Sequence, residues 1–161
     1  MVIIGYGRVG HHIGEVLRTL QTPMLVIESD VEQVEELNRQ GILTIYGDAA
    51  NSEVLRYAYL PEARLLVTTT PSDAVNEMIA TTVRDLAPNL PIIARANSLE
   101  GVRDLAKRGA QVVIHPELEG GLHLLRHTLL ELGYPLQDVY KYADAVRADA
   151  PRPPVKYRHD N

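Results

Sequence analysis

Val2-Ile3-Ile4-Gly5-Tyr6-Gly7-Arg8-Val9-Gly10 is an apolar strand that breaks into a G-x-G-x-x-G turn and continues as a helix. That order of strand, glycines and helix decides the reading of the whole chain. Gly5 permits the tight turn, Gly7 lets a phosphate approach the backbone with no Cβ in the way, and Gly10 lets the helix pack close to the strand. The helix opening there aims free N–H groups and the positive end of its dipole at any anion in the turn. An acidic residue, Glu28, ends the next apolar run, Met24-Leu25-Val26-Ile27, near the spacing that a ribose-binding carboxylate takes. Together these residues predict an adenine-nucleotide or dinucleotide site. The alternative is a glycine-rich turn of an ordinary α/β protein.

Outward from the turn, Val9 to Leu20 carries apolar residues at Val9, Ile13, Val16, Leu17 and Leu20, a helical stripe. Met24 to Ile27 is apolar on both faces, as a buried parallel strand should be. Ser29-Asp30 caps a helix over 31–39, with Val34 and Leu37 inward and Glu32, Glu35 and Glu36 outward, and Gly41 closes it. Further strands are predicted at 43–46, 65–68, 91–94 and 111–114. Helices are predicted through Val54, Leu55 and Ala58 and over 74–87, 99–107 and 118–132. The loops Gly47-Asp48-Ala49-Ala50-Asn51 and Thr69-Thr70-Pro71-Ser72-Asp73 leave the third and fourth strands. This alternation predicts an α/β fold: a Rossmann doubly wound parallel sheet of six strands, order 3-2-1-4-5-6, with a C-terminal crossover helix.

Residues 1–135 then form one nucleotide-binding domain whose dimerisation helix is 118–133. Residues 136–161 add a helical piece over 136–148 and a tail around Pro151-Arg152-Pro153-Pro154 with the composition of a flexible segment. The first strand has only about three residues ahead of the glycines, where a central strand takes about five or six. That shortness predicts a segment of a longer protein.

The 161 residues suffice for one domain with a proper core. A net charge of -5 argues against a nucleic-acid partner or an anionic-membrane surface. The chain has no cysteine, which removes disulfides, thiol catalysis and cysteine metal sites and fits a reducing compartment. No apolar run approaches the length of a membrane span, and no signal peptide is visible, so the segment reads as soluble and intracellular. The predicted sheet uses almost every residue up to Gly133, and the remainder is too short and polar for a substrate domain. Neither G-x-S-x-G nor a P-loop is present. A nucleotide site without an evident reaction points to sensing rather than to an enzyme.

His123 and His127 lie four apart, with Glu119 one turn earlier, but lack the glutamate of H-E-x-x-H, so they read as helix surface or interface and not as a metal site. His11 and His12 read as solvent-facing or packing residues. Leu118, Leu122, Leu125, Leu129 and Leu132 form an apolar stripe that a homodimer would bury, unless the helix packs on its own sheet.

The stretches Gly5–Gly10, Val26-Ile27-Glu28, Tyr46-Gly47-Asp48-Ala49, Ile92-Ile93-Ala94-Arg95-Ala96 and His115-Pro116-Glu117 resemble the TrkA-N, or RCK, regulatory domain from Val2 to about Pro135. The nearest likeness is to the cytosolic domains of Kef-type (monovalent cation:proton antiporter 2) transporters. The resemblance implies an adenine nucleotide as ligand: AMP, ATP or NAD/NADH. A carboxylate at Glu28 accepts from a ribose 2′-OH and repels a 2′-phosphate, which disfavours NADP. It also implies adenosine over the turn of Gly5, Tyr6, Gly7, Val9 and Gly10, ribose on Glu28 with Ser29 beside it, and phosphate on Arg8. Asp48 and Ala49 would flank the adenine, unless Asp48 merely caps a helix. Thr69 and Thr70 would lie near the nicotinamide or distal phosphates, and Arg95 would be a ligand or a surface ion pair.

Two departures stand out. Asn97 occupies the place where Kef-type domains tend to carry a second basic residue, in the region on which glutathione contacts depend. The residues after Tyr142 are too few to predict the small C-terminal ligand-binding subdomain of many RCK proteins within this stretch. The family's last helix crosses to a second subunit, so the resemblance implies a homodimer. It also implies a transmembrane cation-transport domain in the parent protein, at the cytoplasmic face of the cell membrane, with transport gated by ligand-dependent rearrangement of the dimer. The alternatives are the cofactor-binding fragment of an NAD-dependent oxidoreductase and a freestanding cytosolic subunit that docks on a separate channel.

Overall fold

The structure, a computed structural model, describes residues 1–149. Its strands are β1 (Val2–Ile4), β2 (Leu25–Glu28), β3 (Leu43–Tyr46), β4 (Leu66–Thr68), β5 (Ile92–Arg95) and β6 (Val112–Ile114). They pair in parallel in the order β3-β2-β1-β4-β5-β6. The helices are α1 (Arg8–Thr19), α2 (Val31–Arg39), α3 (Ser52–Arg56), α4 (Asp73–Leu86), α5 (Leu99–Lys107), α6 (Pro116–Glu131) and α7 (Leu136–Asp149). This is the Rossmann sheet that the alternation of strand and helix predicts. Helix α6 begins two residues earlier than its leucines suggest, because Pro116 suits a first helical position whose N–H has no partner.

Successive strand residues point to opposite faces, and the two faces bury different sets. Ile3 and Val26 pack with Tyr6, Leu37 and Ile42, helped by Ile13 and Leu17 of α1. Val2, Ile4 and Ile27 face a larger layer that includes Leu55 of α3, Ile79 and Val83 of α4, and Leu105 of α5.

Helix α1 corrects the expected stripe. Val16 and Leu20 are 60% and 66% exposed, whereas Gly10 and Gly14 are the buried positions. A Cβ on Gly10 would stand 2.2 Å from the Gly5 carbonyl oxygen, and one on Gly14 would stand 2.1 Å from Tyr6 Oη. Bare backbone at these two positions seats the helix on its glycine face and turns Val16 outward.

Arg84 fastens the far side of the sheet. Its guanidinium donates to the carbonyls of Pro88 (2.8 Å), Leu90 (2.7 Å) and Gly109 (3.0 Å), joining the end of α4 to the turns before β5 and β6. Burial lowers its pKa below the ordinary arginine value.

Helices α6 and α7 pack on each other as a hairpin, with Leu122, Val139 and Ala143 buried. Arg147 pairs with Glu119 across the hairpin, and Arg126 lies over the Tyr140 ring at 5.7 Å. The leucine stripe is therefore divided. Leu122 is buried within the hairpin, Leu118, Leu125 and Leu129 are half-buried, and Leu132 is 69% exposed. Helix α7, not the sheet, supplies the intramolecular partner. Among the described residues no helix is long and apolar enough to cross a membrane. The tail around Pro151–Pro154 lies outside the described residues.

Candidate functional site

The connections of β1 and β4 leave on opposite faces of the sheet, opening a crevice at the carboxyl ends of the strands. The cleft there has a volume of about 520 Å³. Its near wall is the glycine turn. Gly5 adopts φ +82° and donates its N–H to the Ile27 carbonyl at 2.9 Å. Gly7 is the N-cap of α1 with no side-chain cap and no acidic residue in the first turn. A Cβ on Gly7 would meet nothing within 4 Å, so that side of the turn is open. The first N–H groups of α1 therefore face the cleft with their positive end uncompensated. Arg8 and Val9 line the cleft from the same turn, and Arg8 has no ion pair among the described residues.

Opposite the turn, Glu28 ends β2 with its carboxylate held by three backbone donors: Tyr6 N–H (2.6 Å), Ser29 N–H (2.7 Å) and Asp30 N–H (3.0 Å). Three charge-assisted bonds fix the carboxylate in place ahead of any ligand and leave one lone pair on Oε2 for an incoming donor. Ser29 and Asp30 also line the cleft. Asp30 caps α2 by accepting from Glu32 and Gln33 N–H, which is all the sequence signalled. Its presence as a second carboxylate beside Glu28 was not read from the chain.

Asp48 and Ala49 line the cleft after β3. Asp48 accepts from Ala50 N–H at 2.9 Å, and the cap of α3 is Asn51, so the capping role considered for Asp48 falls to its neighbour. Thr69 and Thr70 line the cleft after β4. Thr69 Oγ1 donates to the Gly5 carbonyl at 2.9 Å and Thr70 Oγ1 donates to Asn76 Oδ1 at 2.7 Å. With both protons committed inward, these hydroxyls offer a phosphate no donor. They shape the floor of the cleft instead.

That floor rests on Asn76 of α4, fully buried and missed by the sequence reading. Its Oδ1 accepts from Thr68 and Thr70, while its Nδ2 donates to the carbonyls of Thr70 and Arg95 at 2.9 Å each. A single asparagine within a helix has no sequence signature of this role. Asp73 fastens the next loop, accepting from Asn97 N–H (2.6 Å) and Ser98 Oγ (2.7 Å).

Arg95 fits both readings given for it. It lines the cleft, and its Nη2 lies 3.0 Å from Asn97 Oδ1 and 3.7 Å from Glu117 Oε1.

Two predicted residues are not among those lining the cleft, Tyr6 and Gly10. Gly10 sits beneath the turn. The Tyr6 side chain falls on the α1–α2 face of the sheet, against Gly14 and His11, and only its N–H serves Glu28. Burial pushes the Tyr6 phenol pKa above the ordinary 10, with Glu15 adding and Arg18 opposing. His123 and His127 stack edge to face on α6 at 4.7 Å, and the nearby carboxylate of Glu119 is taken by Arg147.

Fold and cleft define the class: a doubly wound domain with a ligand crevice at its topological switch point. The chain belongs to the TrkA-N domain family, whose profile matches residues 1–116. It is 36% identical over 131 residues to YbaL of Escherichia coli (strain K12), assigned by name as a cation/proton antiporter, covering 81% of this chain and 23% of YbaL. It is 32% identical over 127 residues to potassium channel protein 1 of Methanocaldococcus jannaschii, covering 78% of this chain and 38% of the channel. Thus it spans well under half the length of either relative.

The crystal structure of the TrkA-N domain of the E. coli inner membrane protein YbaL superposes with a TM-score of 0.73, covering 81% of this chain and 93% of that one. The AMP-bound Kef CTD of Shewanella denitrificans superposes with a TM-score of 0.78 at 22% identity, covering 92% and 90% respectively, a likeness of fold. The family resemblance drawn from the sequence motifs holds.

Proposed function

We propose that this domain is the nucleotide-sensing regulatory unit of a cation transporter, most closely a cation/proton antiporter, working as a homodimer at the cytoplasmic face of the membrane. The observation that carries the reading is the Glu28 carboxylate, locked by three N–H groups across from an open glycine turn. A ribose hydroxyl donates to Oε2 of Glu28, and a phosphate takes the N–H groups of the turn and the guanidinium of Arg8. Gly5, Gly7 and Val9 bound that phosphate site, Ser29 flanks the ribose, Asp48 and Ala49 flank the base, and Arg95 reaches the distal end.

Two carboxylates, Glu28 and Asp30, would face a 2′-phosphate, so the reading favours AMP, ATP or NAD/NADH over NADP. A structural neighbour that binds AMP supports an adenine nucleotide. Relatives named for an antiporter and a channel support a membrane transport domain as partner, and a sensor rather than an enzyme. The exposed Leu124, Leu132, Leu136 and Tyr140 of the hairpin support a second subunit. A nucleotide then regulates transport to the extent that it prefers one arrangement of the dimer.

Calorimetry with AMP, ADP, ATP, NAD+, NADH and NADP+ tests the core of this. Binding by at least one of the first five, with NADP+ weaker than NAD+, is the expected result. No heat from any of them at millimolar concentration would sink the proposal.

A further inference from the structure

We propose that Glu117 is a built-in competitor for the ligand of the cleft: it holds Arg95, and an anionic ligand that draws Arg95 away releases the first turn of α6. The inference rests on the nucleotide reading above and names how occupancy leaves the site.

Arg95 belongs to two places at once. It is the last residue of β5 and lines the cleft, yet its guanidinium faces Glu117, the second residue of α6. The hold is loose. The 3.7 Å separation from Glu117 Oε1 is long beside the roughly 2.7–2.9 Å of a charge-assisted bond. A guanidinium has five N–H donors, and here it makes one good hydrogen bond, to Asn97 Oδ1 at 3.0 Å. Its Nε is buried without a partner, although the side chain is only 18% exposed. A phosphate within reach would supply the bidentate acceptor that Glu117 does not.

The backbone would stay still during that exchange, because the Arg95 carbonyl is tied to Asn76 Nδ2 at 2.9 Å. Movement would be confined to the side chain and to what it holds. Glu117 is 63% exposed and also lies 3.2 Å from Nδ1 of His115, the N-cap of α6. His115-Pro116-Glu117 is the joint between sheet and hairpin. Neither core cluster includes a residue of α6 or α7, so contacts at this joint set the direction of the hairpin. The Glu119–Arg147 pair moves with the hairpin, since both residues belong to it.

The test is a double-mutant cycle with Glu117→Gln and Arg95→Gln, each titrated calorimetrically with the nucleotide the parent binds and with adenosine. Glu117→Gln should tighten the nucleotide about two- to fivefold, the worth of a partly exposed ion pair, and leave adenosine unchanged. In the Arg95→Gln background the same substitution should change neither. Tightening that persists without Arg95 would make Glu117 a diffuse negative charge and overturn the proposal, as would no tightening at all.

A second readout needs no ligand. With no cysteine in the chain, nitroxide labels at Lys107→Cys on α5 and Lys141→Cys on α7 report hairpin position once diluted with unlabelled chain. Glu117→Gln should shift or broaden that distance distribution, and an unchanged distribution refutes the release. A parent that binds no nucleotide defeats the proposed function, while this label measurement still decides the role of Glu117.

Discussion

Alanine at position 14 should disturb the cleft from the far side of α1. Its Cβ would lie 2.1 Å from Tyr6 Oη, 2.5 Å from Cε2 and 2.6 Å from Cζ. Tyr6 is 6% exposed, so its ring must shift to make room. Helix propensity favours alanine over glycine by about 1 kcal/mol, whereas overpacking a closed core costs about 1–3 kcal/mol. Three Tyr6 atoms closer than 3.0 Å put this clash in the upper half of that range, about 2–3 kcal/mol. The balance is a loss of about 1–2 kcal/mol, or roughly 2–8 °C in Tm for a domain of this size.

Tyr6→Phe removes the nearest of the clashing atoms and a buried hydroxyl without a partner. Alone it should leave stability unchanged or raise it by up to about 1 kcal/mol. Combined with Gly14→Ala it should recover about half of the loss, a coupling between touching residues. Thermal and urea denaturation of the four chains complete the cycle. Tyr6 N–H is also a donor to Glu28 at 2.6 Å, so Gly14→Ala should weaken nucleotide binding while Tyr6→Phe does not. Additive effects, or a Gly14→Ala chain as stable as its parent, would refute the reasoning.

The same hydroxyl predicts an alkaline limb. Its pKa is raised above 10 in the folded chain, chiefly by burial, so the unfolded chain releases the proton first. Below pH 10 the phenol is neutral in both states and stability does not depend on it, and stability falls as pH rises from 10 through the raised folded value. Tyr6→Phe should flatten that limb.

Glu28→Gln keeps the side chain's size but sets an amide NH2 against a backbone donor. Calorimetry should show nucleotide affinity reduced at least about tenfold, since a hydrogen bond to a charged group contributes about 1.5–3 kcal/mol, and full affinity would remove Glu28 from the ribose. Arg84→Lys replaces a planar fork by a point charge that cannot span three carbonyls. It should cost about 1–3 kcal/mol in urea denaturation without altering nucleotide affinity. Leu124→Glu with Leu132→Glu, at positions 70% and 69% exposed, should turn dimers into monomers in sedimentation with little change in melting. A parent chain that is monomeric at high micromolar concentration contradicts the dimer.

The strands and helices were legible because their boundaries are written in local chemistry. Asp30 and Ser98 cap α2 and α5 through their own side chains, and Gly41 and Gly109 close the same helices at positive φ. The glycine turn and Glu28 were legible as partners because the fold brings the ends of β1 and β2 together in register. Longer-range direction was not. Asn76 takes its role from Thr68, Thr70 and Arg95, which lie in two different strands and a loop. The Thr69 and Thr70 hydroxyls could be placed near the cleft from the sequence, yet nothing local says which way their protons point. Periodicity likewise showed that α6 has an apolar face. It could not say that α7 would cover part of it, nor that Gly10 and Gly14 would rotate Val16 out of the core.

The separateness of the helical hairpin has an evolutionary consequence. Among the described residues neither apolar core extends beyond Val113, so a substitution within α6 or α7 spares the packing of the sheet. Under the function proposed above, sheet and hairpin can therefore drift at different rates, the sheet held by a crowded interior and the hairpin by its own contacts. On that proposal the hairpin after the joint at His115–Glu117 could change without refolding the sheet that carries the cleft.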